Sequence, residues 1–204
     1  MAILFIKLVR RLVSAMGAIA STLLILLVML MCYNVIARYA FSASSIGLEE
    51  LSWHAYATIF LFGIPYALQS GSHVRVDLLF EKMSLRNQQL VDLVGTALFL
   101  IPTCLVIIVT GWQFTIAAYQ LGAQPDSVGQ FFNQLVSTGI GERSQDPGGL
   151  LNRWLIKAVI PVSFLFLLLA AIAALMEKWI EFRGGKPDGS SDGPSQSKSG
   201  ASVT

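Results

Sequence analysis

The sequence predicts an all-α integral membrane protein with four transmembrane helices and a short interfacial amphipathic helix. Three observations carry that expectation. Of the 204 residues, 54% are hydrophobic and only 13% charged, against roughly 25% charged in a soluble domain. The charges sit in short blocks between long stretches that hold almost none. Each stretch approaches or exceeds the roughly 20 residues that a helix needs to cross hydrocarbon. The expected membrane domain covers residues 1–183, with spans at about 12–36, 51–68, 87–118 and 154–176 and an outer connection at about 119–153. Residues 184–204 are expected to form a disordered cytoplasmic tail, being rich in Gly, Ser and Pro with no apolar face to bury.

The first run extends from Leu12 to Ile36, after a basic start of Lys7, Arg10 and Arg11. A cleaved signal peptide also begins basic, but its apolar core is usually about 7–15 residues. This longer run reads as a retained helix. The second run, Leu51 to Leu68, is barely long enough to span. Glu49 and Glu50 stand at its start, where acidic groups favour the positive end of the helix dipole. Pro65 removes a backbone donor, which predicts a bend near Leu61–Pro65.

Residues 71–80, GSHVRVDLLF, follow that run. Val76, Leu79, Phe80 and Met83 fall on one helical face, with Asp77, Glu81 and Ser84 on the other. This is the pattern of a helix lying in the interface plane, with Arg75 and Lys82 placed to meet phosphates of membrane lipids. The third run, from Asn87 to Ala118, is broken only by Pro102. At about 48 Å it exceeds the roughly 30 Å hydrocarbon core, so it must tilt or project. Trp112 and Tyr119 suit its far headgroup region. In the connection that follows, Pro125, Pro147 and Gly148-Gly149 predict a turn-rich cap with a short helix around Val128–Val136. The fourth run, Trp154 to Met176, holds Pro161 early and is bracketed by Trp154 and Trp179.

Basic residues set the orientation. The N-terminus, the second connection (Arg75, Lys82, Arg86) and the C-terminal flank (Lys178, Arg183, Lys186) are the basic side. Four spans with both termini in the cytoplasm satisfy that bias. Gly17 with Ser21, and Ala170 with Ala174, have the small-xxx-small spacing that lets helices approach closely. Cys32 and Cys104 lie in apolar runs and read as small hydrophobes.

Two polar groups stand out. His73, Arg75 and Asp77 lie close together in the interfacial segment, but His73 and Asp77 supply too few ligands for a metal site. Their grouping could orient a turn or touch a partner subunit. Glu50 and His54 are four residues apart and share a helix face beside Glu49, and a short connection brings Arg38 within reach. Helix capping and pairing, contact with another subunit, and proton relay are the alternatives for this group. There is no Gly-rich phosphate loop, no His-Glu-x-x-His and no Gly-x-Ser-x-Gly. The sequence implies no catalytic residue, no cofactor, no metal site and no nucleic-acid partner.

A series of residues in order carries a family resemblance. Asn34-Val-Ile-Ala-Arg38-Tyr-Ala-Phe41 is followed by Glu49-Glu50-Leu51 and Trp53, then Gly63, Tyr66-Ala67-Leu68 and Gly71-Ser-His73-Val-Arg75-Val-Asp77. This series resembles the small membrane subunit (DctQ-like) of tripartite ATP-independent periplasmic (TRAP) transporters. The resemblance is strongest from about Tyr33 to Phe80. It implies a non-catalytic permease subunit of the bacterial inner membrane that scaffolds a large, elevator-type membrane subunit. A periplasmic solute-binding protein would deliver an organic acid or related solute for sodium-coupled uptake. Here the outer connection is longer than in the commonest members. An independent membrane scaffold or assembly protein is the second reading. A small membrane enzyme or channel using Glu49, Glu50 and His54 is the third.

Overall fold

The computed structural model describes residues 2–70, 91, 94–122, 125 and 127–182. The interfacial segment with His73, Arg75 and Asp77, and the tail after 183, lie outside the described residues. Among the described residues five α-helices follow in order: α1 (Ala2–Phe41), α2 (Ile46–Gln69), α3 (Ile101–Gln120), α4 (Val128–Ser137) and α5 (Trp154–Phe182). No strand occurs among the described residues.

Among the described residues, three helical stretches are long and apolar enough to cross a membrane: Ala2–Phe41, Thr96–Gln120 and Trp154–Ile180. Only 11% of the most apolar window in the second of these is buried within the chain, so most of its apolar surface needs lipid or another protein. α2 is about 36 Å long, enough to span. Its Glu49, Glu50, Ser52, His54 and Thr58 dilute its apolarity, and it is not among those three.

α5 packs against α1, α2 and α3, and α1 packs against α2. Where the first turns of α1 meet α5, Ile6, Val9 and Val13 pack in a core against Ala170 and Ala173. The alanines have no bulk beyond Cβ, so the larger α1 side chains fill the space between the axes. Gly111 of α3 does the same against α5, where an added Cβ would lie 3.3 Å from Pro161 Cδ.

The prolines do not all act alike. α2 continues through the buried Pro65, and α5 through Pro161. Before Pro102 the chain instead makes a π-helical turn, Thr96–Leu100, with Ile101 N–H donating to Thr96 O. Proline has no N–H to donate back to the preceding turn, and the wider register accommodates the loss.

At Gly17, α1 lies close against the Tyr66 ring of α2. A Cβ there would fall 2.5 Å from Tyr66 Cδ2. Ser21 donates to Gly17 O at 2.9 Å and so satisfies its own hydroxyl within α1. Gly17→Leu is expected to cost about 1–3 kcal/mol by overpacking, measured by unfolding the purified protein in detergent. Adding Tyr66→Ala should recover part of that loss, because it removes the obstructing ring.

Candidate functional site

The residues singled out at the start of α2 divide sharply. Glu49 is exposed and Arg38, near the end of α1, is also exposed. The Arg38 guanidinium lies 5.6 Å from the ring centroid of its neighbour Tyr39. Among the described residues Arg38 makes no ion pair with Glu49 or Glu50. His54 is half-buried, and its Nδ1–H donates to Glu50 O at 2.5 Å, one turn back along α2.

Glu50 reaches across to the outer connection. Ser144 Oγ donates to Glu50 Oε1 at 2.5 Å, and Leu150 N–H donates to Oε2 at 2.7 Å. One carboxylate thus clasps both ends of the turn 144–150. The turn closes on itself as well, with Ser144 N–H to Leu150 O at 3.0 Å and Gly149 N–H to Asp146 O at 3.0 Å. Two glycines make the approach possible. A Cβ on Gly149 would lie 2.4 Å from Ser144 Oγ and 3.1 Å from Glu50 Oε2. A Cβ on Gly47 would lie 2.9 Å from Gly148 O. The Ser144 hydroxyl, then the Leu150 amide, hold the Glu50 carboxyl below its ordinary value of 4.5, with help from the Arg153 and His54 charges and against the effect of burial. Glu50 precedes the expected span 51–68, which puts the clasp outside that expected segment.

A second set of bonds ties the same connection to α3 and α5. Glu142 N–H donates to Ala118 O at 2.8 Å, and Arg153 N–H donates to Glu142 O at 2.9 Å. The Glu142 carboxylate pairs with Lys157. The Lys157 ammonium also lies 4.1 Å from the centroid of the Phe114 ring. Beside it Tyr119 and Trp154 meet edge to face, with centroids 5.2 Å apart. Asn152 holds α4 in place: its Oδ1 accepts from Ile140 N–H at 2.6 Å and its Nδ2–H donates to Leu135 O at 2.8 Å. Asn152 sits at φ 59°, a left-handed conformation that asparagine tolerates better than most residues. α4 begins with Ser127, whose Oγ accepts from Gln130 N–H at 3.3 Å. It ends at Gly139, φ +74°, whose N–H donates to Gln134 O at 2.6 Å.

The arrangement can hold the loop between α3 and α5 against three helices. Among the described residues no group of three His, Cys, Asp or Glu side chains could hold a metal ion. Sequence reasoning found Glu50 and His54 but missed Glu142, Ser144, Asn152 and the pairing of Lys157. The Gly148-Gly149 pair was the available signal for the turn. Nothing in the pattern linked that turn to Glu50.

Residues 27–181, about three quarters of the chain, match the family model described as tripartite ATP-independent periplasmic transporters, DctQ component. The match takes in the whole Glu50 clasp and the ties of the outer connection to α3 and α5. No curated protein matches the chain.

Proposed function

We propose that this chain, which belongs to the DctQ family of tripartite ATP-independent periplasmic transporter components, acts as the scaffold subunit beside a large, elevator-type membrane subunit. The large subunit carries the solute and sodium sites. A periplasmic binding protein delivers the solute, an organic acid or a related compound. The family match over residues 27–181 carries this reading. It is supported by the largely uncovered apolar windows of the long helices, which suit a protein that packs beside another in the bilayer.

In this reading α2 is the second of four spans, made acceptable to the bilayer by its neighbours α1 and α5. The amphipathic stretch that includes Val76, Asp77, Leu79 and Phe80 lies in the interface plane. Both termini are cytoplasmic and the outer connection is periplasmic. Arg38, Glu49, Glu50, His54, His73, Arg75 and Asp77 serve structure or subunit contact rather than chemistry. For Glu50 the support is direct, since both carboxylate oxygens are engaged in holding a loop.

Sodium-driven solute uptake in proteoliposomes tests the function. Uptake is expected only when this chain, the large subunit and the binding protein are all present, and co-expression with the large subunit should raise the yield of stable chain. Specific uptake by this chain alone would overturn the reading. Reporter fusions after Lys82 and Lys186 should report cytoplasm, and one near Gln130 periplasm. The reverse pattern would overturn the orientation but not the function.

A further inference from the structure

The first turns of α1 carry a feature that the scaffold role does not use. Ile6, Val9 and Val13 turn inward to α5. The opposite face presents Leu4, Lys7, Leu8 and Arg11 at helical spacing, continued by Ala15 and Ala18. All six are exposed, with Leu4 at 74% and Leu8 at 56%. Arg10, between the two faces, is engaged: its Nη2 donates to Glu177 Oε2 at 2.9 Å. Lys7 and Arg11 make no ion pair among the described residues.

We infer that this outward face of α1 seats an anionic phospholipid, with its phosphate between Lys7 and Arg11 and an acyl chain along the alanines above them. Residues four apart on a helix have Cβ atoms about 5–6 Å apart, so two long cationic side chains can close on one phosphate from both sides. Leu4 and Leu8 offer apolar surface at the headgroup boundary. Beyond Arg11 the stripe narrows to Ala15, Ala18 and Thr22, whose hydroxyl is turned back to Ala18 O at 3.0 Å. The result is an exposed stripe of small side chains. From Arg11 to Ile25 it runs about 21 Å, more than the roughly 15 Å of hydrocarbon in one leaflet.

Charge decides the occupant. A protein partner would have to bring carboxylates into an apolar surface and desolvate them, which is costly. A bilayer already presents phosphate at that level, directly above its chains. The inference rests on reading α1 as a membrane span, and not on the identity of the transported solute or of the large subunit.

The test uses the full-length chain in detergent, titrated with short-chain phosphatidylglycerol and, separately, phosphatidylcholine, with thermal stabilisation as the readout. Phosphatidylglycerol should stabilise the wild type and phosphatidylcholine should not. Lys7→Gln combined with Arg11→Gln should weaken the apparent affinity about 25-fold, from about fivefold per cation. Lys7→Arg combined with Arg11→Lys should retain it. Anionic lipid should also co-purify with the wild type above its share in the membrane, measured by mass spectrometry, which does not depend on the variants folding. Equal stabilisation by the two lipids, unchanged affinity in the glutamine variant, or no enrichment of anionic lipid would overturn the proposal. Because no uptake is measured, such a failure would leave the scaffold reading standing.

Discussion

Gly141→Ala is expected to destabilise the protein by about 2 kcal/mol or more, the sum of backbone strain and a steric clash. Gly141 sits at φ +69°, where a Cβ is disfavoured in its own right. That Cβ would also lie 2.7 Å from Ala118 O and 3.0 Å from Tyr119 Cα. These atoms are backbone in the last turn of α3 and cannot swing aside. The adjacent bond from Glu142 N–H to Ala118 O would have to lengthen, and with it the placement of the Glu142–Lys157 pair. Gly148→Ala is the control. Gly148 has φ +82° but nothing within 4 Å of its Cβ position, so it should lose only the strain, about 1–2 kcal/mol. Unfolding both variants in the same detergent reads the difference directly. Equal losses would show that the outer connection shifts freely on α3, contrary to the close packing described.

The long helices were legible because the bilayer imposes a simple rule on sequence. A run such as Leu12–Ile36 has to be apolar on every side. The structure extends that helix to Ala2–Phe41, since Lys7, Arg10 and Arg11 are good helix formers outside the hydrocarbon. The short helix expected around Val128–Val136 appears as Val128–Ser137, because its apolar residues recur at helical spacing between a capping serine and a glycine stop. Pro102 marked an interruption in the third run, but its form, a π-helical turn, depends on which carbonyl the next N–H can reach.

The clasp was not legible for a different reason. Glu50 lies 94 residues from Ser144 and 100 from Leu150, and one of its two donors is a backbone amide that has no signature in sequence. Spacing instead linked Glu50 to its helical neighbour His54. In the structure His54 bonds the Glu50 carbonyl and leaves the carboxylate to the loop. Proximity along the chain likewise suggested Arg38 as a partner, but the end of α1 leaves that side chain pointing elsewhere.

Removing the Glu50 carboxylate is expected to open the outer connection while leaving the helices in place. Glu50→Ala deprives Ser144 Oγ and Leu150 N–H of their acceptors at once, so a protected amide is left to find water or remain unpaired. Glu50→Gln keeps one carbonyl oxygen but loses the second acceptor and the attraction of Arg153, so it should have the smaller effect. Hydrogen exchange is the discriminating measurement: the Leu150 amide should approach open-loop exchange in Glu50→Ala, fall between in Glu50→Gln, and stay protected in the wild type. Acid should mimic the substitution, and the sign is fixed by linkage. The folded carboxyl titrates below its ordinary value of 4.5, so the clasp stabilises the fold above that value. Its contribution is lost as pH falls below 4.5 and through the depressed folded value. Wild-type protection at Leu150 should therefore persist at neutral pH and decline on acidification, while Glu50→Gln should show no such decline from this group. In proteoliposomes carrying the full set of subunits, both variants should assemble less well and transport in proportion to what assembles. Normal assembly with complete loss of uptake would instead give the Glu50 carboxylate a direct part in transport.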